Sequence, residues 1–331
     1  GRTLLASASG DNTVRLWDPV TGAQQHVLKG HTGWVTALCS VDLPDGRTLL
    51  ASASGDNTVR LWDPVTGAQQ HVLKGHTDWV RVLCRVDVPD GRTLLASAGD
   101  DYVVRLWDPI TGAQQRVLKG HMGWVMALCS VDLPDGRILL ASAGDDHIVR
   151  LWDPVTGAQQ HVLKGHTGWV MALCSVDLPD GRILLASASG DNTVRLWDPV
   201  TGTQQKVLEG HTDTVNALCR VDLPDGRILL ASASGDNTVR LWDPVTGTQQ
   251  KVLEGHTDTV NALCRVDLPD GRTLLATASD DRTIRLWDCR GSLKAQVPVG
   301  GQPSALLATD ALVIVIAIER GILIVDIQAA R

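Results

Sequence analysis

His31, Ser52 and Asp56 are the residue types of a nucleophilic hydrolase. The imidazole would take the serine proton and the carboxylate would hold the ring in its working tautomer. The same three types return at the same spacing in five further places, with threonine for serine in the last. An enzyme needs one active site, not six interchangeable ones, so the recurrence points to a structural use. The chain carries no glycine-rich phosphate loop, no cluster of metal-ligand residues and no unique acid–base pair, and His147, standing alone, is no metal site. A protein without enzymatic activity, cofactor or metal is expected.

What positions these residues is a repeat. The run GRTLLASASGDNTVRLWDPVTG begins at Gly1 and returns, lightly edited, from Gly46, Gly91, Gly136, Gly181, Gly226 and Gly271, a period of 45 residues. Segments 181–225 and 226–270 are identical, which implies recent duplication or deliberate construction. A unit of this length cannot bury its own apolar face and must stack on its neighbours. One assembly spanning residues 1–331 is therefore expected rather than two ordinary domains. After Gly30 and His31 come four short runs, 35–41, 47–54, 58–63 and 69–73, separated by LPDG, GDN and PVTG turns. That spacing is too tight for helices and suits strands. Along 47–54, Leu50, Ser52 and Ser54 fall on one side and Leu49, Ala51 and Ala53 on the other.

Composition narrows the class. A hydrophobic content of 44% supports a large core, and a net charge of −7 counts against a duplex nucleic-acid partner. Cys39, Cys84, Cys129, Cys174, Cys219 and Cys264 share one slot in apolar runs and read as small buried free thiols, which fits a reducing compartment. ALVIVIAI at 311–318 is too short to cross a bilayer, where about 20 apolar residues are needed, and no signal segment is read at the start. A soluble, cytoplasmic protein with no membrane partner is expected.

The Gly-His dipeptide, the LASAS strand, the turn aspartate and the closing Trp-Asp pair resemble the WD-repeat β-propeller family, closely over 1–290 and loosely beyond. Six Gly-His and seven Trp-Asp pairs stand in register, and the SVDLPDG turn is longer than the family's usual one. The resemblance implies an all-β propeller of four-stranded antiparallel blades. It also implies a buried network running from turn aspartate to histidine, histidine to strand serine, and serine to indole N–H. The quartets are His31, Ser52, Asp56 and Trp62; His76, Ser97, Asp101 and Trp107; and His121, Ser142, Asp146 and Trp152. Three more follow: His166, Ser187, Asp191 and Trp197; His211, Ser232, Asp236 and Trp242; and His256, Thr277, Asp281 and Trp287.

The opening copy lacks its first strand and Gly-His, so Gly1 reads as a cut through a longer protein. Three strands there, six units of four and three in the tail make thirty, where seven blades need 28 and eight need 32. Seven blades are favoured, with 24–28 completing the divergent closing segment 289–331 and residues 1–18 left as a surplus hairpin. Eight blades with an incomplete seam are the alternative.

Differences between copies gather in a few slots. Three residues after the repeated histidine stand Trp34, Trp79, Trp124, Trp169, Thr214 and Thr259. Five after it stand Thr36, Arg81, Met126, Met171, Asn216 and Asn261. The second turn varies through Asp100 and Asp145 before the network aspartate, and through Tyr102 and His147 after it. In a WD propeller these slots crowd the top face, and they resemble the positions with which the G-protein β subunit grips its partners. Four tryptophans beside Met126, Met171, Tyr102 and Arg81 have the composition of a binding hot spot. The expected function is a scaffold or sensor binding a protein or peptide on that face, as in the WD regions of larger signalling proteins such as multidomain ATPases and kinases. The other reading is a small-ligand or glycan binder that stacks on the tryptophans. His26, His71 and His161, replaced by Lys206 and Lys251 in later copies, read as polar protection of an outer strand edge.

Overall fold

Turn chemistry sets the hairpins. In the LPDG loop, Leu43 N–H donates to the Arg47 carbonyl at 2.7 Å, and Gly46 supplies the left-handed residue at φ 82°. In the PVTG loop, Asp63 N–H donates to the Ala68 carbonyl at 2.8 Å, while Asp63 Oδ1 accepts the Val65 and Thr66 N–H groups at 2.8 and 3.2 Å. The aspartate of each Trp-Asp pair is thus the staple of the turn that follows it.

The computed structural model describes residues 4–19, 21–223, 225–268, 270–308, 313–318 and 321–326; it holds thirty strands and, among these residues, no helix. Two compact units divide the chain, Gly1–Gly165 and His166–Arg331. In the first, β1 (Leu5–Ala8), β2 (Thr13–Trp17) and β3 (Gln24–Lys29) form a three-stranded sheet. Next comes the four-stranded sheet of β4 (Val35–Asp42), β5 (Thr48–Ser54), β6 (Thr58–Trp62) and β7 (Gln69–Lys74). The third comprises β8 (Val80–Asp87), β9 (Thr93–Gly99), β10 (Val103–Trp107) and β11 (Gln114–Lys119). The fourth comprises β12 (Val125–Asp132), β13 (Ile138–Gly144), β14 (Val149–Trp152) and β15 (Gln159–Leu163). All strand pairs are antiparallel meanders, such as Ser52 opposite Arg60 and Leu38 opposite Ser52. The second unit holds three four-stranded sheets, opening at Val170–Asp177, Val215–Asp222 and Val260–Asp267, and the three-stranded sheet Pro303–Ala308, Val313–Ile318 and Gly321–Asp326.

Two expectations need correction. Strand β3 pairs with β2, its neighbour in sequence, and the tail strands form their own sheet, so 24–28 does not complete the closing segment. The reason is local: Asp18 N–H to Ala23 O and Gly22 N–H to Asp18 O, both 2.9 Å, close a tight hairpin that holds β3 beside β2. The thiols are half-buried rather than buried, because Cys39, Cys84 and Cys129 lie on the first strand of their sheets. Burial still pushes the Cys84 thiol up to about 12.

The core lies between sheets. Leu49, Ala51, Ala53, Val59, Leu61 and Leu73 of the second sheet pack with Val80, Leu95 and Trp107 of the third. From the opposite face of the second sheet, Leu50 and Trp62 pack with Val14, Leu16 and Leu28 of the first. The alternation read in 47–54 is therefore the two faces of one sheet, and the fully buried Ala51 and Ala53 leave room for the next sheet to approach. Trp62, Trp107 and Trp152 of the Trp-Asp pairs each fill the space between two sheets, so truncating one of them to alanine would cost about 3–5 kcal/mol.

Candidate functional site

Beneath the variable slots sits the repeated polar network. Trp62 Nε1–H donates to Ser52 Oγ at 2.8 Å, Ser52 Oγ meets His31 Nε2 at 2.8 Å, and His31 Nδ1 meets Asp56 Oδ2 at 2.9 Å. The indole can only donate and the carboxylate can only accept. The chain of bonds therefore runs one way, with a neutral imidazole protonated on Nδ1. Burial is the main cause that lowers the pKa of His31, His211 and His256, against the pull of their aspartates. Burial would raise Asp56, but hydrogen bonds from Thr58, Thr32 N–H and His31 outweigh it and bring the carboxyl to about 2. The same bonds recur through His76, His121, His166 and His211, and Thr277 Oγ1 replaces serine at 2.8 Å from His256 and 2.9 Å from Trp287. Ser52 is fully buried and its oxygen is committed to the indole, so no substrate carbonyl can reach it.

The variable slots cover this network. In the first unit, Trp34 and Trp79 meet with ring centres 5.9 Å apart. The Arg81 guanidinium lies 5.4 Å from the Trp79 ring and 5.2 Å from that of Trp124. Arg81 also grips Asp100 with two nitrogens, Nε on Oδ1 and Nη2 on Oδ2 at 2.7 Å. An open cavity of about 450 Å³ is lined by Trp34, Val35, Thr36, Trp79, Arg81, Met126 and Gly10. Trp34 is 61% exposed and Trp124 37%, too open for packing caps; Trp79 is half-buried, its ring lying on the glycine of the preceding turn, where a Cβ on Gly55 would meet it at 3.1 Å.

The slot after the network aspartate is left-handed in every described copy, from Asn12 at φ 67° to Arg282 at φ 62°. Asparagine tolerates that conformation; a ring does so less readily. Tyr102 and His147 hold it at φ 64° nonetheless, and Tyr102 is 43% exposed, so this side chain is presented at a conformational cost.

Other residues of the set do different work. Thr36 Oγ1 donates to the Val80 carbonyl, tying β4 to β8. In the second unit, Asn216 Nδ2 does the same to Val260 at 3.2 Å, Asn261 Nδ2 donates to Asp280 Oδ1 at 2.7 Å, Thr214 and Thr259 are half-buried, Met171 is half-buried, and Trp169 is 50% exposed. His26 and His71 are also ties: each Nε2 meets a turn carbonyl of the next sheet, Val65 at 3.1 Å and Ile110 at 2.9 Å. The signal missed in the sequence is the pairing of slots 19 residues apart, Arg81 with Asp100 and Asn261 with Asp280.

A profile of the WD40 repeat, described as "WD domain, G-beta repeat", matches residues 1–18, 22–63, 67–108, 112–153, 157–198, 202–243 and 247–288. The match 22–63 runs from β3 to β6, so one sequence repeat spans the last strand of one sheet and the first three of the next. Ribosome assembly protein 4 of Chaetomium thermophilum is 61% identical over 31 residues, 9% of this chain and 6% of that protein. Nuclear distribution protein PAC1-2 of Uncinocarpus reesii is 56% identical over 36 residues, 11% and 8% of the two chains. A probable serine/threonine-protein kinase, PkwA, of Thermomonospora curvata is 49% identical over 37 residues, 11% and 5%. The chain thus spans less than about a tenth of the length of the curated relatives it matches. The crystal structure of the computationally designed Ika8 protein is similar over 98% of this chain and 93% of its own, with a TM-score of 0.82 and 27% identity.

Proposed function

The chain belongs to the WD40 repeat family and is an all-β propeller of antiparallel sheets, and from that premise we propose that it is a non-enzymatic interaction platform. Its partner is a protein or peptide that docks on the variable slots. The observation that carries this reading is the continuous surface of Trp34, Trp79, Arg81 and Trp124, with the half-buried Trp79 and the exposed Trp124 around a cation and the open Trp34 against Trp79. Aromatic and arginine side chains contribute most of the energy at protein interfaces. Residues 1–331 are taken as one propeller of a cytoplasmic signalling or assembly protein.

A small-ligand or glycan site repeated at each indole finds less support. Trp34 is open, Trp79 lies on Gly55, and Trp124 carries a guanidinium, so the three settings are unlike. The test is capture from lysate with the intact chain and with a variant carrying Trp34, Trp79 and Trp124→Ala, both first shown to melt alike. A protein retained by the first and lost from the second supports the platform. Identical captures overturn it.

A further inference from the structure

Asp100, Asp145 and Asp280 occupy the same turn position, and their environments differ. Asp100 is held by Arg81 and Asp280 by Asn261, each donor lying 19 residues earlier on the first strand of the sheet. The residue at that place before Asp145 is Met126, which has nothing to donate. Asp145 Oδ1 is buried against Gly123 without a hydrogen-bond partner. Burial first, then the charges of Asp146 and Asp100, raise this carboxyl above the usual range against a hydrogen bond that it accepts from the Trp124 N–H. A carboxylate oxygen buried without a partner costs stability, so its presence calls for a use.

The neighbouring sheet contains the completed version. Arg81 stands two residues after Trp79, stacks on that ring, and places two nitrogens on Asp100. Met126 stands two residues after Trp124. Trp124, Met126 and Asp145 thus repeat Trp79, Arg81 and Asp100 with methionine in the place of the arginine, and the Trp124 ring already accepts one guanidinium, that of Arg81, at 5.2 Å. We infer that the Trp124, Met126 and Asp145 position receives the guanidinium of an arginine side chain from a partner peptide, stacked on the indole with two N–H groups on the carboxylate. The planar fork of arginine matches a carboxylate in a way an ammonium does not. Trp124 is exposed, Asp145 is half-buried, methionine yields readily to an incoming group, and the chain's net charge of −7 favours a basic peptide.

The assignment rests on the platform reading and is tested separately from it. Fluorescein-labelled Gly-Ser-Gly-Arg-Gly-Ser-Gly and its citrulline twin, which keeps the shape and loses the charge, are titrated against the chain by fluorescence anisotropy at low salt. The arginine peptide should bind about tenfold more tightly, the value of one charge-assisted pair. Asp145→Asn should abolish the difference, and so should Met126→Arg, which supplies the cation from within. Gln160→Ala, an exposed residue on the outer strand β15 and outside the variable slots, should leave it intact. Met126→Arg should also raise the melting midpoint by about 1 °C, and only while Asp145 is present. Equal binding of the two peptides overturns the assignment. So does discrimination that survives Asp145→Asn, or a Met126→Arg gain that persists in the Asp145→Asn background. If the peptides bind equally while the triple tryptophan variant still loses its captured protein, the arginine pocket fails and the platform stands.

Discussion

Two aspartates at one repeat position, Asp100 and Asp145, carry opposite consequences for stability. Asp100 lies in a two-pronged pair with a half-buried arginine, so Asp100→Asn should lower stability by about 1 kcal/mol. Asp145 has no such partner, so Asp145→Asn should raise it by about 0.5 kcal/mol, since neutralising the group removes a desolvated charge. Urea midpoints of the two variants decide the matter, and equal losses would show that Asp145 is held by something other than its visible surroundings. Tyr102 belongs to the same scale. Its left-handed backbone at φ 64° is relieved by Tyr102→Asn, which should add about 0.5–1 kcal/mol while weakening partner capture. A stabilised variant that still captures its partner would mean the exposed ring serves no contact. Both acids and the tyrosine are legible in the sequence as departures from the repeat. Which of them is satisfied is not, because that depends on a side chain 19 residues away across a hairpin.

Within a sheet, the His–Ser–Trp network joins the turn to two strands. Ser187 Oγ takes the Trp197 indole and meets His166 Nε2, each at 2.8 Å, and is fully buried. Ser187→Ala leaves a buried indole N–H and a ring nitrogen unpaired and should cost about 2 kcal/mol by chemical denaturation. Ser187→Thr, the change position 277 already carries, should cost much less, because Thr277 Oγ1 keeps both bonds. Equal losses from the two variants would assign the effect to packing rather than hydrogen bonding. The elements themselves could be read almost residue by residue, since Gly46, Asn57 and Gly67 mark the turns that bound them. Assignment of β3 to a sheet could not, because β strands carry no address for their partner beyond the length of the connecting turn.

At the scale of the whole molecule, the shifted histidines and aspartates of the networks give stability a defined pH dependence. The folded pKa values of His31, His211 and His256 lie below the ordinary 6.5, so the unfolded chain binds those protons first and stability falls as pH drops through about 6.5. A second loss is expected below 3.8, where Asp56, Asp101, Asp146, Asp236 and Asp281, all lowered on folding, take up protons sooner in the unfolded chain. Melting midpoints from pH 8 to pH 3 should therefore be level at the top and decline in two stages; a profile level from pH 7 to pH 5 would mean the imidazoles are not held neutral. The 45-residue period by itself determined the strand count and the slots that vary, because each is a local pattern written several times, and the resemblance of that pattern to the WD-repeat family implied the propeller fold and the network. Only the tertiary structure decided that Arg81 lies between Trp79 and Trp124, that Trp34 meets Trp79, and that Oδ1 of Asp145 is left without a donor. Those meetings join residues on different strands and sheets, and a repeat that states the same turn seven times does not state which neighbour each exception will find.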